Sequence, residues 1–367
     1  MEIIRFRLTC LCPWRRPKPC AVKRLVAIAA LAAVLSPAGV RGQAVDVHSH
    51  IILPEYVSMV EAHGAAMEEG FPLPQWDAAA HVAFMDSAGI GTSVLTLPAP
   101  QPYFGDAGES ARCIHRVNEA AARVKKDYPG RFMFCAALPL PDVATAVREA
   151  VYALDTLKAD GVKIATNSRG LYLGDPALEP LMRVLDERQA VVIIHPHRPS
   201  ALTDVTAKAV PLPVYEYPAE TTRAVLNMVA HNVLVRYPHV KVVVPHCGSF
   251  LPLALPRFRS LLPAMVGQGY MQPVDVEANL SRLYYDLAGS PTLEVIRSLL
   301  TVTSPGHILY GSDYPYLPAA VLQANLQRLR KTLAADKELA GYEEMFLWKN
   351  AEQLFSADGC SGGIPTE

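Results

Sequence analysis

Four short pieces of this chain carry the side chains that could do chemistry. They are Asp46-Val47-His48-Ser49-His50, His195-Pro196-His197, His246-Cys247-Gly248 and Gly311-Ser312-Asp313-Tyr314-Pro315, and each ends a short apolar run. Two imidazoles at a two-residue interval on an extended strand point to the same face, so His48 and His50 can grip one cation. His195 supplies a third nitrogen and Asp313 a carboxylate. Such a set suits one divalent ion, Zn²⁺ first and Mn²⁺ as the other candidate, and leaves a position open for water or substrate. His246 is either a fifth ligand or a general acid/base, because an imidazole beside a metal titrates near neutrality and can relay a proton. An isolated His-x-His pair can be a surface feature with no role. The joint occurrence of these residues, in order, at the ends of four apolar runs is what argues for a single site. Cys247 has no paired base nearby in the sequence and reads as a packing residue. Trp76, His197 and Tyr314 are candidate pocket residues that could equally be structural.

The runs before these residues read as strands buried on both faces. Strands are expected over 44–47, 93–97, 132–138, 161–165, 191–194, 240–244, 283–287 and 308–310. Helices are expected over 76–87, 110–126, 143–158, 178–189, 221–236 and 293–300, with a closing helix over 343–354. Helix stop signals such as Ala88-Gly89, Tyr128-Pro129-Gly130 and Tyr237-Pro238 stand just before strands. Alternating strand and helix in one domain of this length point to a (β/α)8 TIM barrel of the metal-dependent hydrolase type, spanning 45–355. In that fold the active site lies at the carboxyl ends of the strands, where the four pieces fall. Three connections exceed the usual loop length, at 51–75, 196–219 and 262–280. The first two should line the pocket.

The chain has 367 residues, half of them hydrophobic, and a formal net charge of −1. A large core is therefore possible, and nothing in the charge favours nucleic acid. Residues 1–44 combine a basic start, an alanine-rich apolar run over 25–35 and small residues up to Ala44. This is the pattern of an export signal, which would place the mature protein in the periplasm or outside the cell; an uncleaved anchor or a start site set too early are the other readings, the last leaving it cytoplasmic. The apolar run is too short for a comfortable span. The seven cysteines show no pairing pattern, and 356–367 reads as a loose tail.

The order Asp-x-His-x-His, His195, His246-Cys247-Gly248 and Gly311-Ser312-Asp313-Tyr314-Pro315 resembles the amidohydrolase superfamily. Within it, the chain looks like the metal-dependent, non-oxidative decarboxylases, a branch that includes the aminocarboxymuconate semialdehyde, resorcylate and 6-methylsalicylate decarboxylases. The resemblance implies that His48, His50, His195 and Asp313 hold one ion and that His246 handles protons; the expected donor to the ring carbon is a protonated Asp313 or His246. It implies a homodimer in which Arg257 reaches the partner's pocket and binds a substrate carboxylate; a helix-surface arginine is the other reading. His81 stands where the semialdehyde type carries an arginine, and Ser249 follows Cys247-Gly248 without the glutamate of the resorcylate type. Both departures favour a small ortho-hydroxy aromatic acid of the 6-methylsalicylate kind, with His81 among the substrate contacts. Lys163 stands on the fourth strand, where two-metal relatives carry a carbamylated bridging lysine; the alternative is a salt bridge facing the barrel interior or a loop. Hydrolysis of a lactone, amide or ester at the same metal is the rival activity. A non-catalytic extracytoplasmic metal- or ligand-binding protein is the rival of another class.

Overall fold

A computed structural model describes residues 44–200, 202, 210–289 and 291–356. The expected export segment short of Ala44, Cys10, Cys12, Cys20 and Cys360, and the tail beyond Ser356 lie outside the described residues. Eight parallel strands run in chain order: β1 (Ala44–His50), β2 (Ile90–Thr96), β3 (Phe132–Ala137), β4 (Gly161–Ala165), β5 (Val191–His195), β6 (Lys241–Val244), β7 (Leu283–Asp286) and β8 (Ile308–Leu309). The sheet closes on itself. Val47 N–H donates to the Tyr310 carbonyl at 2.9 Å, Asp313 N–H to the His48 carbonyl at 2.8 Å, and His50 N–H to the Tyr314 carbonyl at 2.9 Å. The architecture is the expected (β/α)8 TIM barrel.

Both faces of the strands are covered, which explains their unbroken apolar runs. Val162, Ile164, Val192, Ile194, Val242 and Val244 face the surrounding helices. Val45, Val47, Val94, Cys135, Val191, Ile193, Val243 and Leu309 fill the barrel, closed below by Ala351 and Leu354 of the last helix, Asn350–Phe355. Each fully buried Val, Ile or Leu contributes roughly 1.5–3 kcal/mol. Gly161 opens β4 because a Cβ there would lie 2.4 Å from the Val191 carbonyl oxygen; β5 approaches closer than any side chain allows.

One irregularity positions the chemistry. The register of β1 on β2 slips between Asp46 and Ser49. Below the slip Val45 and Val47 point into the barrel; above it the inward residues are His48 and His50. A bulge of this kind re-aims side chains, and here it brings the histidine pair into the mouth without turning the apolar plug outward. Asp46 pins the slip: its buried carboxylate accepts from Ser312 N–H (2.9 Å), Ser312 Oγ–H (2.6 Å) and His48 N–H (3.1 Å).

Several connections differ from expectation. The 51–75 connection contains a helix, Pro54–Ala62. The stretch 221–236 starts earlier, as Glu216–Ala230, and breaks at Asn232, whose φ is +50°. The 262–280 connection is partly helical, because helix Leu251–Gly267 runs through Pro256 and Pro263. Proline inside a helix is disfavoured, which hid this element in the sequence. Among the described residues no helix is long and apolar enough to cross a membrane.

Candidate metal centre

Four histidines and one aspartate meet at the carboxyl ends of β1, β5, β6 and β8. The His48 ring lies 5.1 Å from His50, 5.4 Å from His195 and 5.0 Å from His246, centroid to centroid. One nitrogen from each of His48, His50 and His195 falls within 4.8 Å of the others, and so does a set from His48, His246 and Asp313. Asp313 Oδ1 is 3.0 Å from His50 Nε2 and 3.5 Å from His48 Nε2. The donors foreseen from sequence therefore fall into two overlapping triads that share His48. Gly311 permits this, since a Cβ there would lie 2.7 Å from the Cβ of His48.

Hydrogen bonds on the far side of three of the rings, those of His48, His195 and His50, fix their tautomers. His48 Nδ1 lies 2.8 Å from Asp286 Oδ2, His195 Nδ1 lies 3.0 Å from the Pro196 carbonyl, and His50 Nδ1 lies 3.0 Å from Thr96 Oγ1. A carbonyl only accepts, so His195 Nδ1 carries the hydrogen. The Thr96 hydroxyl donates to the Ser49 carbonyl at 3.1 Å, so it accepts from His50. The Nε2 lone pairs are then turned to the centre. His48 Nε2 is buried with no hydrogen-bond partner among the described residues, a costly state for a polar atom. His50 Nε2 and Asp313 Oδ1 face each other as two acceptors, a contact that only a proton or cation makes favourable. The donor set fits a divalent ion, which His48, His50, His195 and Asp313 would hold, with the rings oriented from behind by hydrogen-bonded partners, as metal-binding histidines commonly are.

The electrostatics agree. Burial, aided by the charges near them, lowers His50 to about 4 and His195 well below its ordinary value, so both are neutral ligands at pH 7. Burial pushes Asp313 up, but the neighbouring imidazoles of His50, His48 and His246 outweigh it and hold it at about 2. Burial also opposes a charge on His48, yet Asp286, with Asp313 and Asp46, raises it to about 9. Without a metal His48 holds a proton where the ion would sit.

His246 stands beside these groups on a strained turn. His246, Cys247, Gly248 and Ser249 all have positive φ, at +56°, +55°, +72° and +57°, and Asp313 is at +65°. Runs of this kind persist only where the surroundings hold them. Asp286 does so here, accepting the His246 N–H at 3.0 Å. Cys247 is buried, its thiol pushed far up by burial, as suits a packing residue.

Sequence reasoning missed Asp286, whose signal was a single carboxylate ending the apolar run of β7. It also missed Tyr316, whose ring edges His50 at 5.4 Å, and Glu69. Glu69 is buried and accepts from Tyr217 Oη–H at 2.6 Å. Changing Asp286 to asparagine should weaken metal binding by about 10–100-fold, read by competition with a chromophoric chelator; unchanged affinity would show that His48 needs no orienting partner.

Other expected pocket residues lie elsewhere. Tyr314 stacks on Phe84 at 4.6 Å and lies tilted against His81 at 4.4 Å, and Trp76 Nε1–H donates to His81 Nδ1 at 3.1 Å. Trp76, His81 and Tyr314 form one aromatic cluster around helix Ala78–Ala88. No side-chain hydrogen bond or ring contact joins them to the metal-facing histidines among the described residues. Trp76 Nε1–H and His81 Nδ1 are spent on each other, while His81 Nε2 is buried with no hydrogen-bond partner among the described residues. His197 packs at the loop after β5, with Nε2 3.9 Å from Glu68 Oε1. Arg257 is exposed on helix Leu251–Gly267.

Comparison with known proteins agrees with this geometry. A decarboxylase of Aspergillus niger is 35% identical over 76% of this chain and 78% of its own length. The 6-methylsalicylic acid decarboxylase of Aspergillus aculeatus is 32% identical over 85% of this chain and 95% of its own. A crystal structure of an amidohydrolase II matches with a TM-score of 0.78 at 32% identity, covering 85% of this chain and 99% of that one. The family model for amidohydrolases matches residues 45–357, and with its donors at the ends of β1, β5, β6 and β8 the chain belongs to that amidohydrolase family.

Proposed function

We propose that this chain is a metal-dependent carboxy-lyase that removes CO₂ from a small ortho-hydroxy aromatic acid of the 6-methylsalicylate kind. The observation that carries the site chemistry is the convergence of three Nε2 atoms and Asp313, with His246 adjacent to them. The relatives that share most of the chain's length, among them a 6-methylsalicylic acid decarboxylase, support the reaction class. When bound, the ion supplies a Lewis acid and a template for the substrate's oxygens; a set of three imidazoles and one carboxylate favours zinc, with manganese the alternative.

The protein's own residues supply the proton. His246 is the group beside the site placed to hold one and pass it to the ring carbon bearing the carboxylate; Asp313, held ionised near neutrality, would first have to take up the proton it passes on. The C–C bond then breaks, CO₂ leaves, and the electron pair of that bond restores the aromatic ring. Burial with His48 nearby keeps His246 below its ordinary value, outweighing Asp313 and Asp286. The proposal includes a second copy of the chain. Leu253, Arg257 and Leu261 are all exposed and recur at every fourth position of helix Leu251–Gly267, so an arginine stands within an apolar stripe on one face.

The test is CO₂ release by the metal-loaded protein from a panel of hydroxybenzoates, with metal analysis alongside. Release from 2-hydroxy-6-methylbenzoate is expected, with none from the meta- and para-hydroxy isomers. No release from any acid would sink the proposal and turn attention to hydrolysis of lactones or amides at the same centre.

A further inference from the structure

Lys163 is a charged group that the metal site leaves unused. Its α-carbon pairs with Ala137 on β3 and Ile193 on β5, and two residues on Ala165 pairs with His195. Strands in register point their side chains the same way, and Ile193 belongs to the barrel filling. Lys163 therefore points inward, one layer below His195. Layers of this kind are about 6–7 Å apart, the reach of an extended lysine, so its ammonium comes up to the floor of the metal pocket. The charges agree: Lys163 is among the groups that lower His50, His195 and His197.

This lysine is 4% exposed and has no hydrogen bond or ion pair among the described residues. The charge that partly offsets its burial is that of Glu69. Glu69 is already engaged, accepting from Tyr217 and from Tyr316. Burial also raises Glu69 to about 7, which leaves it a partial charge at most near neutrality. A buried ammonium without a partner is costly. A fold that needed only packing here would place an apolar residue, as it does at Ile193 and Val243.

We propose that Lys163 is the anion-selecting residue of the pocket, its ammonium pairing with the carboxylate of a bound aromatic acid. The inference rests on the site reading given above and extends it to a residue outside the metal-binding set. It explains why the positive charge is buried: the substrate supplies the missing partner. It also sets specificity, because a neutral aromatic of the same shape would leave the ammonium unpaired and be rejected.

The test compares metal-loaded wild type with Lys163→Met, and with Lys163→Gln should the first fail to fold. The measurements are metal content, melting temperature, and calorimetric affinity for salicylate and for neutral salicylamide. The expected result for Lys163→Met is unchanged metal content and an equal or higher melting temperature. Salicylate should bind about 30-fold or more weakly, the scale for truncating one partner of a buried charge pair. Salicylamide should bind within about threefold of wild type. Where CO₂ release is measurable, KM should rise with kcat nearly unchanged.

Equal salicylate affinity in the variant overturns the proposal. So does a loss of metal on substitution, which would make Lys163 part of the metal site, or a fall in melting temperature with affinity retained, which would make it a structural partner of Glu69. A wild-type protein that releases no CO₂ but shows the Lys163-dependent affinity loss would overturn the reaction class and leave this inference standing.

Discussion

Exchanging His246 for asparagine is expected to lower turnover by about 10²–10⁴-fold while the metal content stays that of the wild type. The half-buried imidazole has no hydrogen-bonding partner among the described residues that would give it a structural role. Its backbone is held in a left-handed conformation, beside Asp313 and His48, by the Asp286 carboxylate. Asparagine tolerates that conformation better than most residues and so keeps the turn. It cannot take up or release a proton, so the substitution isolates proton transfer from geometry. Metal analysis and CO₂ release read the two effects separately. Loss of metal would make His246 a fifth ligand. Wild-type turnover with metal intact would assign the proton to Asp313 alone.

The parts of this site that were legible in the sequence are those set by local pattern. A strand buried on both faces must be apolar throughout, so a histidine or aspartate ending such a run stands out at His195, His246 and Asp313. Seven strands were placed within about three residues of their observed ends for that reason, and β1 runs on as far as His50 because its bulge keeps both phases buried. What was not legible depends on partners far apart in the chain. Asp286 ends β7 with no motif around it, and its role is to hold His48, 238 positions away. Glu69 sits in a connection whose sequence gives no periodicity, and only Tyr217 and Tyr316 give it meaning. Tyr314 and Tyr316 look interchangeable in Tyr314-Pro315-Tyr316. The turn after β8 sends the first outward onto Phe84 and the second toward His50.

Stripping the ion with a chelator should abolish turnover, lower the melting temperature and make rebinding steeply dependent on pH. The structural reason is that the donors are preformed and mutually unfavourable when empty. His50 Nε2 and Asp313 Oδ1 stand as facing acceptors, and His48 Nε2 is buried without a hydrogen-bond partner among the described residues. An ion present at about a thousandfold over its dissociation constant stabilises the folded state by about 4 kcal/mol. For a domain of this size that is a shift of about 5–10 °C, visible by calorimetry with and without chelator. The pH dependence follows from His48. Its folded-state value is raised to about 9 by Asp286 against the effect of burial, so below pH 9 the empty site carries a proton that the ion must displace. His50, lowered to about 4, and His195, lowered well below its ordinary value by burial, have no proton to give up at pH 7. Affinity should therefore rise about tenfold per pH unit from pH 6 toward 9 and then level off, with about one proton released per ion bound at pH 7. Calorimetry in buffers of different ionisation enthalpy counts that proton. Release of two or more would mean that His50 or His195 is charged in the empty protein and that burial does not hold them neutral. Release of none would remove Asp286 as the group that sets the charge on His48.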